Sequence, residues 1–175
     1  MLTATLSIQD VEDAARRIHP YVSRTPVIWS HATSRYFNTP VCFKCEQFQK
    51  TGAFTARGAC NAVLALAATS VPPGIVTHSP GNRAAGVAYA AHVRGISANV
   101  VVPWTTAPKK LEIIRRYDPE IEFCEPTMAA CKAEALRISS ERGFALIRPC
   151  DDLDVIAGDA TAAAEFLAAT PSLTF

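Results

Sequence analysis

Residues 74–103 read GIVTHSPGNRAAGVAYAAHVRGISANVVVP. The opening apolar run GIVTHS, residues 74–79, follows Pro72-Pro73 and has the length and composition of a buried strand. RAAGVAYAAHVRG, residues 83–95, carries small apolar residues at helical spacing and stops at Gly95, a residue type that closes helices. ISANVVVP, residues 96–103, is again a short apolar strand. A strand, a helix and a strand in this span make a βαβ unit, which requires parallel pairing and a right-handed crossover.

The alternation continues downstream. PKKLEIIRRYD (108–118) reads as a helix opened by Pro108, IEFCEP (121–126) as a strand, and MAACKAEALRISSERG (128–143) as a helix ended by Gly143. FALIRP (144–149) reads as a last strand and DLDVIAGDATAAAEFLAA (152–169) as a final helix. Upstream, Ser7 caps a helix over IQDVEDAARRIHPYV (8–22), which Arg24-Thr25-Pro26 breaks. VIW (27–29) is extended, residues 30–37 form a short helix, and VCFKCEQF (41–48) reads as a strand. Gly52 gives a turn into FTARGACNAVLALAATS (54–70), a helix apolar on most faces and therefore made to be buried. The predicted class is α/β, a three-layer arrangement of a parallel sheet with flanking helices. Three parts follow: an amino-terminal segment 1–71, a small α/β domain 72–149, and a carboxyl-terminal helical segment 150–175.

The chain has 175 residues, 49% hydrophobic and 19% charged, with a formal net charge of +1. That composition is globular. Interspersed charge of both signs gives no surface for nucleic acid, and no apolar run reaches the roughly 18 residues of a membrane span. The start MLTATLSIQDVEDAARR lacks a basic segment followed by an apolar core, so a cytoplasmic protein is expected. Cys42 and Cys45 form a C-x-x-C, a spacing known from zinc and redox sites. It lies in an apolar stretch with no second pair, and the structural reading is taken. Cys60, Cys124, Cys131 and Cys150 are expected as small core residues.

Two loops carry the candidate chemistry. Lys50-Thr51-Gly52-Ala53-Phe54-Thr55 leads into a helix. His78-Ser79-Pro80-Gly81-Asn82-Arg83 lies at the carboxyl end of a parallel strand and the start of a helix, where open α/β sheets bind ligands and free amides favour anions.

Together these loops resemble a known family. FKCEQFQKTGAF (43–54), followed by Arg57-Gly58-Ala59, is similar to the cofactor-lysine segment of fold-type II pyridoxal-phosphate (PLP) enzymes of the serine racemase and serine/threonine dehydratase kind. VTHSPGN (76–82), VVVP (100–103), APKKLEIIRRY (107–117), EFCEP (122–126) and VIAGDAT (155–161) follow in the same order. The resemblance implies the small domain plus the amino-terminal part of the tryptophan-synthase-β-like PLP fold. It also implies that Asn82 faces the cofactor ring hydroxyl and that the 79–82 backbone holds a substrate carboxylate.

The departures shape the functional expectation. The family places its Schiff-base lysine where this chain has Thr55, and a hydroxyl cannot form an imine with the cofactor aldehyde. Pro80 stands where racemases carry a serine acid/base, Arg83 where the family has histidine, and Asp159-Ala160 where it has Gln-Gly. The family's glycine-rich phosphate cradle lies beyond the matched half. The expectation is a repurposed enzyme without cofactor, a lyase, dehydratase, isomerase or cyclase acting on a carboxylate- or carbonyl-bearing small molecule. His78, Ser79, Arg83 and Thr55 are its candidate catalytic groups; Phe54, Ser79, Gly81, Asn82 and Arg83 its candidate substrate contacts. A non-catalytic regulator of a partner protein and a PLP-dependent dehydratase or racemase fragment are the alternatives. The apolar 54–68 helix needs a cover, and a homodimer is expected to supply it.

Overall fold

The computed structural model describes residues 5–66 and 71–171. Carboxyl-terminal parts of the helices expected over 54–70 and 54–68 therefore fall outside the described residues. Helix α1 (Ile8–Ile18) opens with a capping box in which Ser7 accepts from the Asp10 amide while Asp10 accepts from Ser7. Strands β1 (Val27–Trp29) and β2 (Cys42–Lys44) pair antiparallel around α2 (His31–Phe37), with Ile28 opposite Phe43. The strand expected over 41–48 is shorter than read: Glu46–Phe48 turn into a 3-10 helix. The glutamate there folds inward onto an arginine, which a straight strand would not allow. Helix α3 (Thr55–Ala65) follows.

Next come β3 (Gly74–His78), α4 (Asn82–Arg94), β4 (Ser97–Pro103), α5 (Pro108–Arg115), β5 (Glu120–Cys124), α6 (Met128–Arg142), β6 (Ala145–Leu146) and α7 (Leu153–Ala169). Gly95 and Gly143 end α4 and α6 in the left-handed region, at φ of 72° and 67°. The last strand is only two residues long where six were expected, because it meets β3 at Ile75 and Val76 alone. The four strands run parallel in the order β5-β4-β3-β6.

That order fixes the layers. The chain steps from β3 to β4 to β5 in one direction, then returns to the far side of β3. Right-handed crossovers therefore put α4 and α5 on one face and α6 on the other. The side chains alternate accordingly. Val100 and Val102 pack with Ala84, Ala88, Leu111 and Ile114 of α4 and α5. Val101 and Val76 pack with Cys131, Ala135 and Ile138 of α6. The reversal leaves a topological switch point between the carboxyl ends of β3 and β6, the usual place for a ligand crevice in such sheets.

Residues Ala56 to Val63 of α3 are all buried. Their cover comes from within the chain, since α4, α7 and α1 all pack on α3. The need for a second chain inferred from this helix is met internally. Exposed large apolar groups include six on the β1–α2–β2 unit and the turn after it: Ile28, Trp29, Tyr36, Phe37, Phe43 and Phe48. Four cysteines are buried as expected, but Cys42 is half-buried and Cys150 exposed. Among the described residues no His/Cys/Asp/Glu cluster has the makings of a metal site. No described helix is long and apolar enough to cross a membrane.

Arg57, with none of its surface exposed, ties α3 to its neighbours. It donates to both Glu46 oxygens at 2.9 Å and to both Glu165 oxygens at 2.9 Å, with further bonds to Thr161 and the Ser23 carbonyl at 3.2 Å. Lys44 Nζ donates to Glu165 at 2.6 Å and to the Thr25 carbonyl at 2.7 Å. Two cations thus meet two carboxylates. Burial alone would raise the Glu46 and Glu165 carboxyls, but hydrogen bonds and charge from Arg57 and Lys44 hold both below their ordinary 4.5. The unfolded chain therefore takes up protons before the folded one. Stability from this cluster is whole above the ordinary value and is lost as pH falls through the lowered one. The thermal midpoint is expected to hold from neutrality to about pH 5 and fall steeply below it. Glu165→Gln should flatten part of that fall in melts followed by circular dichroism.

Candidate site at the carboxyl end of β3

β3 ends at His78, and the Ser79 amide continues the ladder by donating to the Val101 carbonyl at 3.1 Å. Pro80 and Gly81 then turn the chain into α4, whose cap residue Gly81 offers no side chain. Ser79 Oγ accepts from the Gly81 amide at 3.3 Å. The first amides of α4 are thus presented without a side-chain cap, an arrangement that favours an anion. Asn82 is exposed. A methyl placed on Gly81 would lie 3.6 Å from Lys110 Nζ, so the exposed Lys110 of α5 overhangs this loop.

Both candidate loops meet here. Thr55 opens α3, and its carbonyl accepts from Arg83 Nη1 at 3.1 Å. Gly86 allows the approach: a side chain there would come 3.0 Å from the Thr55 carbonyl and 3.1 Å from Ala59 Cβ. Phe54, just before α3, is 47% exposed. Arg83 is not free. Its Nη2 donates to Asp159 Oδ2 at 2.7 Å, and Asp159 Oδ1 accepts from the Gly58 amide at 2.9 Å. Asp159 already neutralises Arg83. Two departures from the family pattern, Arg83 and Asp159, are therefore one ion pair binding the start of α4 to α3 and α7.

Five buried side-chain polar atoms among the described residues lack a hydrogen-bond partner, and two of them lie here: Thr55 Oγ1 and His78 Nδ1. Such atoms each cost about 1–3 kcal/mol when left unpaired. His78 is 6% exposed. Burial, and then the charge of Lys132, push its pKa down, which favours the neutral ring. It lines a cavity of about 470 Å³ at the switch point, between α6 and the segment after β6. This cavity's cations, Lys132 and Arg148, were not among the residues expected from the sequence, because they come from different elements of the chain.

These features define an α/β fold with a crevice at the switch point of its parallel sheet. Residues 18–174 match the family model described as pyridoxal-phosphate dependent enzyme, and the chain belongs to that family. It is 41% identical over 160 residues to serine racemase of Arabidopsis thaliana, covering 91% of this chain and 48% of that protein. It is 39% identical over 159 residues to β-hydroxyaspartate dehydratase of Paracoccus denitrificans, covering 91% and 50%. The structure of maize serine racemase superposes with a TM-score of 0.93 at 38% identity, over 97% of this chain and 51% of that one. The chain spans about half the length of these relatives.

The family match overturns two expectations drawn from the departures. A PLP-independent enzyme and the absence of any cofactor both conflict with a PLP-family match across 18–174 and with relatives at this identity. A few substituted positions weigh less than similarity along the whole chain. The fit of the cofactor to this chain's residues is nevertheless uneven. Asn82 is exposed beside the α4 amides, where a ring hydroxyl could be met. Position 55 presents a buried, unpartnered hydroxyl and no amine, so Thr55 does not fit the group's covalent attachment.

Proposed function

We propose that this chain is the amino-terminal half of a PLP-dependent enzyme of the serine racemase and dehydratase kind, acting on a small amino acid. The observation that carries this is the Ser79–Asn82 turn, with its uncapped amides at the carboxyl end of β3, in a chain of that family. The relatives' names span serine and β-hydroxyaspartate, both small amino acids. When bound, the cofactor supplies an electron sink for chemistry at the substrate α-carbon.

In this reading residues 72–149 are the small domain, while 1–71 and 150–175 belong to a large one. Ser79, Gly81 and Asn82 hold the substrate carboxylate, and Phe54 flanks it. Thr55 and His78, each with an unpartnered polar atom, handle protons beside it. Arg83 positions the loop through Asp159 rather than touching substrate. Free cysteines throughout the described residues support a reducing, cytoplasmic setting. The exposed apolar β1–α2–β2 surface supports association with a second copy; a monomer mass by light scattering at micromolar concentration would remove that part.

The test is an amide-resonance titration of the purified chain with L-serine in the presence of PLP. Ser79, Gly81 and Asn82 are expected to shift together, and Asn82→Ala to weaken co-elution of PLP on gel filtration. No shift in the 79–82 loop with any small amino acid would overturn the reading.

A further inference from the structure

Two of the chain's cysteines face each other. Cys124 is the last residue of β5 and Cys131 lies in the first turn of α6, joined by the turn 125–130. Their sulfurs stand 2.7 Å apart, within about 0.7 Å of the length of a disulfide bond. Both residues are buried, Cys124 at 9% and Cys131 at 2% exposure. Among the described residues no other two cysteine sulfurs lie within hydrogen-bonding reach of each other. The C-x-x-C at Cys42 and Cys45, whose spacing suggests redox chemistry, does not bring its sulfurs together. The helix that carries Cys131 also carries Met128, Lys132 and Leu136, which line the switch-point cavity.

We propose that Cys124 and Cys131 are a reversible oxidation site, whose disulfide ties the end of β5 to the first turn of α6. The proposal is independent of what the Ser79–Asn82 turn binds. In a reducing setting the pair rests as two thiols, and the oxidant is a small peroxide, able to reach a site that larger reagents cannot. Burial, and then the hydrogen bond to Cys131, push the Cys124 thiol up to about 12. Cys124 therefore keeps its proton at neutral pH and donates it toward the Cys131 sulfur, and the first attack falls to Cys131. The Cys131 thiolate breaks the peroxide O–O bond, becomes a sulfenic acid and releases one water. Cys124 sulfur then attacks the sulfenic sulfur: the S–S bond forms, the S–O bond breaks, and the hydroxide leaves with the Cys124 proton as a second water. The two sulfurs lose two electrons and the peroxide gains them. The bond holds α6, and with it one wall of the cavity, to the edge strand of the sheet.

Trypsin leaves both cysteines on one peptide, residues 117–132, because no lysine or arginine lies between Arg116 and Lys132. The test treats the full 175-residue chain with hydrogen peroxide, unfolds it in the presence of an alkylating agent, and digests it without reductant. The 117–132 peptide is expected to be two hydrogen atoms lighter than its dithiol form and to carry no alkyl group. Dithiothreitol before alkylation should restore both alkylation sites. Oxygen added to the exposed Met128 changes the mass by a different, separable amount. In Cys124→Ser, dimedone should mark Cys131, since no second sulfur resolves the sulfenic acid. Buried Cys60, with no sulfur beside it, should stay open to alkylation after unfolding. In a Cys150→Ser chain, which lacks the exposed thiol, the bond should raise the thermal midpoint by about 5 °C. A 117–132 peptide that stays fully alkylated while Cys150 is oxidised, or that ends as sulfinic acid without the bond, would overturn the proposal. A bond that forms but leaves the midpoint unchanged would overturn the tie between β5 and α6.

Discussion

Arg57→Ala is expected to cost about 3–5 kcal/mol, the range for removing one partner from a buried ion pair. Helix propensity does not enter, since arginine and alanine rank close together. The loss comes from Glu46 and Glu165, which keep Lys44 as their one shared cation, with the Thr25 hydroxyl on Glu46, while both remain largely buried. In a chain of this size each kcal/mol moves the thermal midpoint by about 2–4 °C, so a drop on the order of 10 °C is expected. The pH dependence separates this cause from lost packing. Without Arg57 the glutamates are pushed up instead of down, and protonation relieves their repulsion. The gap between wild type and variant should therefore narrow as pH falls below the ordinary glutamate range. A gap that stays constant to pH 4 would mean that the guanidinium acts through its bulk. Arg57→Lys should recover only part of the loss, because a single ammonium cannot bridge two carboxylates with paired hydrogen bonds.

Helices are legible in the sequence where local chemistry decides them. Ser7 and Asp10, Gly95 and Gly143, and Pro108 each mark a boundary through a backbone requirement, and the ends of α1, α4, α5 and α6 fall beside them. The strand over 41–48 was overextended because its break is tertiary. Glu46 turns inward to meet Arg57 eleven residues on and shares it with Glu165, more than a hundred residues away. Arg83 shows the same limit. Beside Pro80 and Gly81 it looks like a free cation at a helix start, and only the fold brings Asp159 to it. The switch-point cavity was illegible for a related reason: His78, Lys132 and Arg148 come from three separate βα or loop segments. Similarity along the whole chain identified the family correctly, whereas substitutions at single positions misled on cofactor use.

Arg83 and Asp159 also change what α7 is for. In the site it acts as a brace: Asp159 fixes Arg83, and Arg83 fixes the start of α3 against the start of α4. The position of the Ser79–Asn82 turn thus depends on how closely α7 approaches α3. That approach is set by two glycines facing each other. A Cβ on Gly158 would lie 2.6 Å from the Arg57 carbonyl and 2.7 Å from both Asn61 Cβ and Gly58 Cα. A Cβ on Gly58 would lie 2.5 Å from the Val155 carbonyl and from Asp159 Oδ1. Most of these are backbone or near-backbone atoms and cannot rotate away.

Gly158→Ala therefore sets two effects in opposition. Alanine favours a helix interior over glycine by about 1 kcal/mol, which would stabilise α7 if the crossing could open freely. Overpacking a close helix crossing costs about 1–3 kcal/mol and sometimes more. Here the opening would also strain the Arg57–Glu165 bonds and the contact of Asp159 with the Gly58 amide, so the cost is expected to win by about 2 kcal/mol or more. The consequence reaches the site. As α7 moves out, Asp159 draws away from Arg83, and amide resonances of Arg83, Asn82 and Gly81 should shift although none of them touches position 158. A stabilised Gly158→Ala protein with an unshifted 81–83 loop would show that the crossing is softer than its contacts imply and that α7 does not brace the turn.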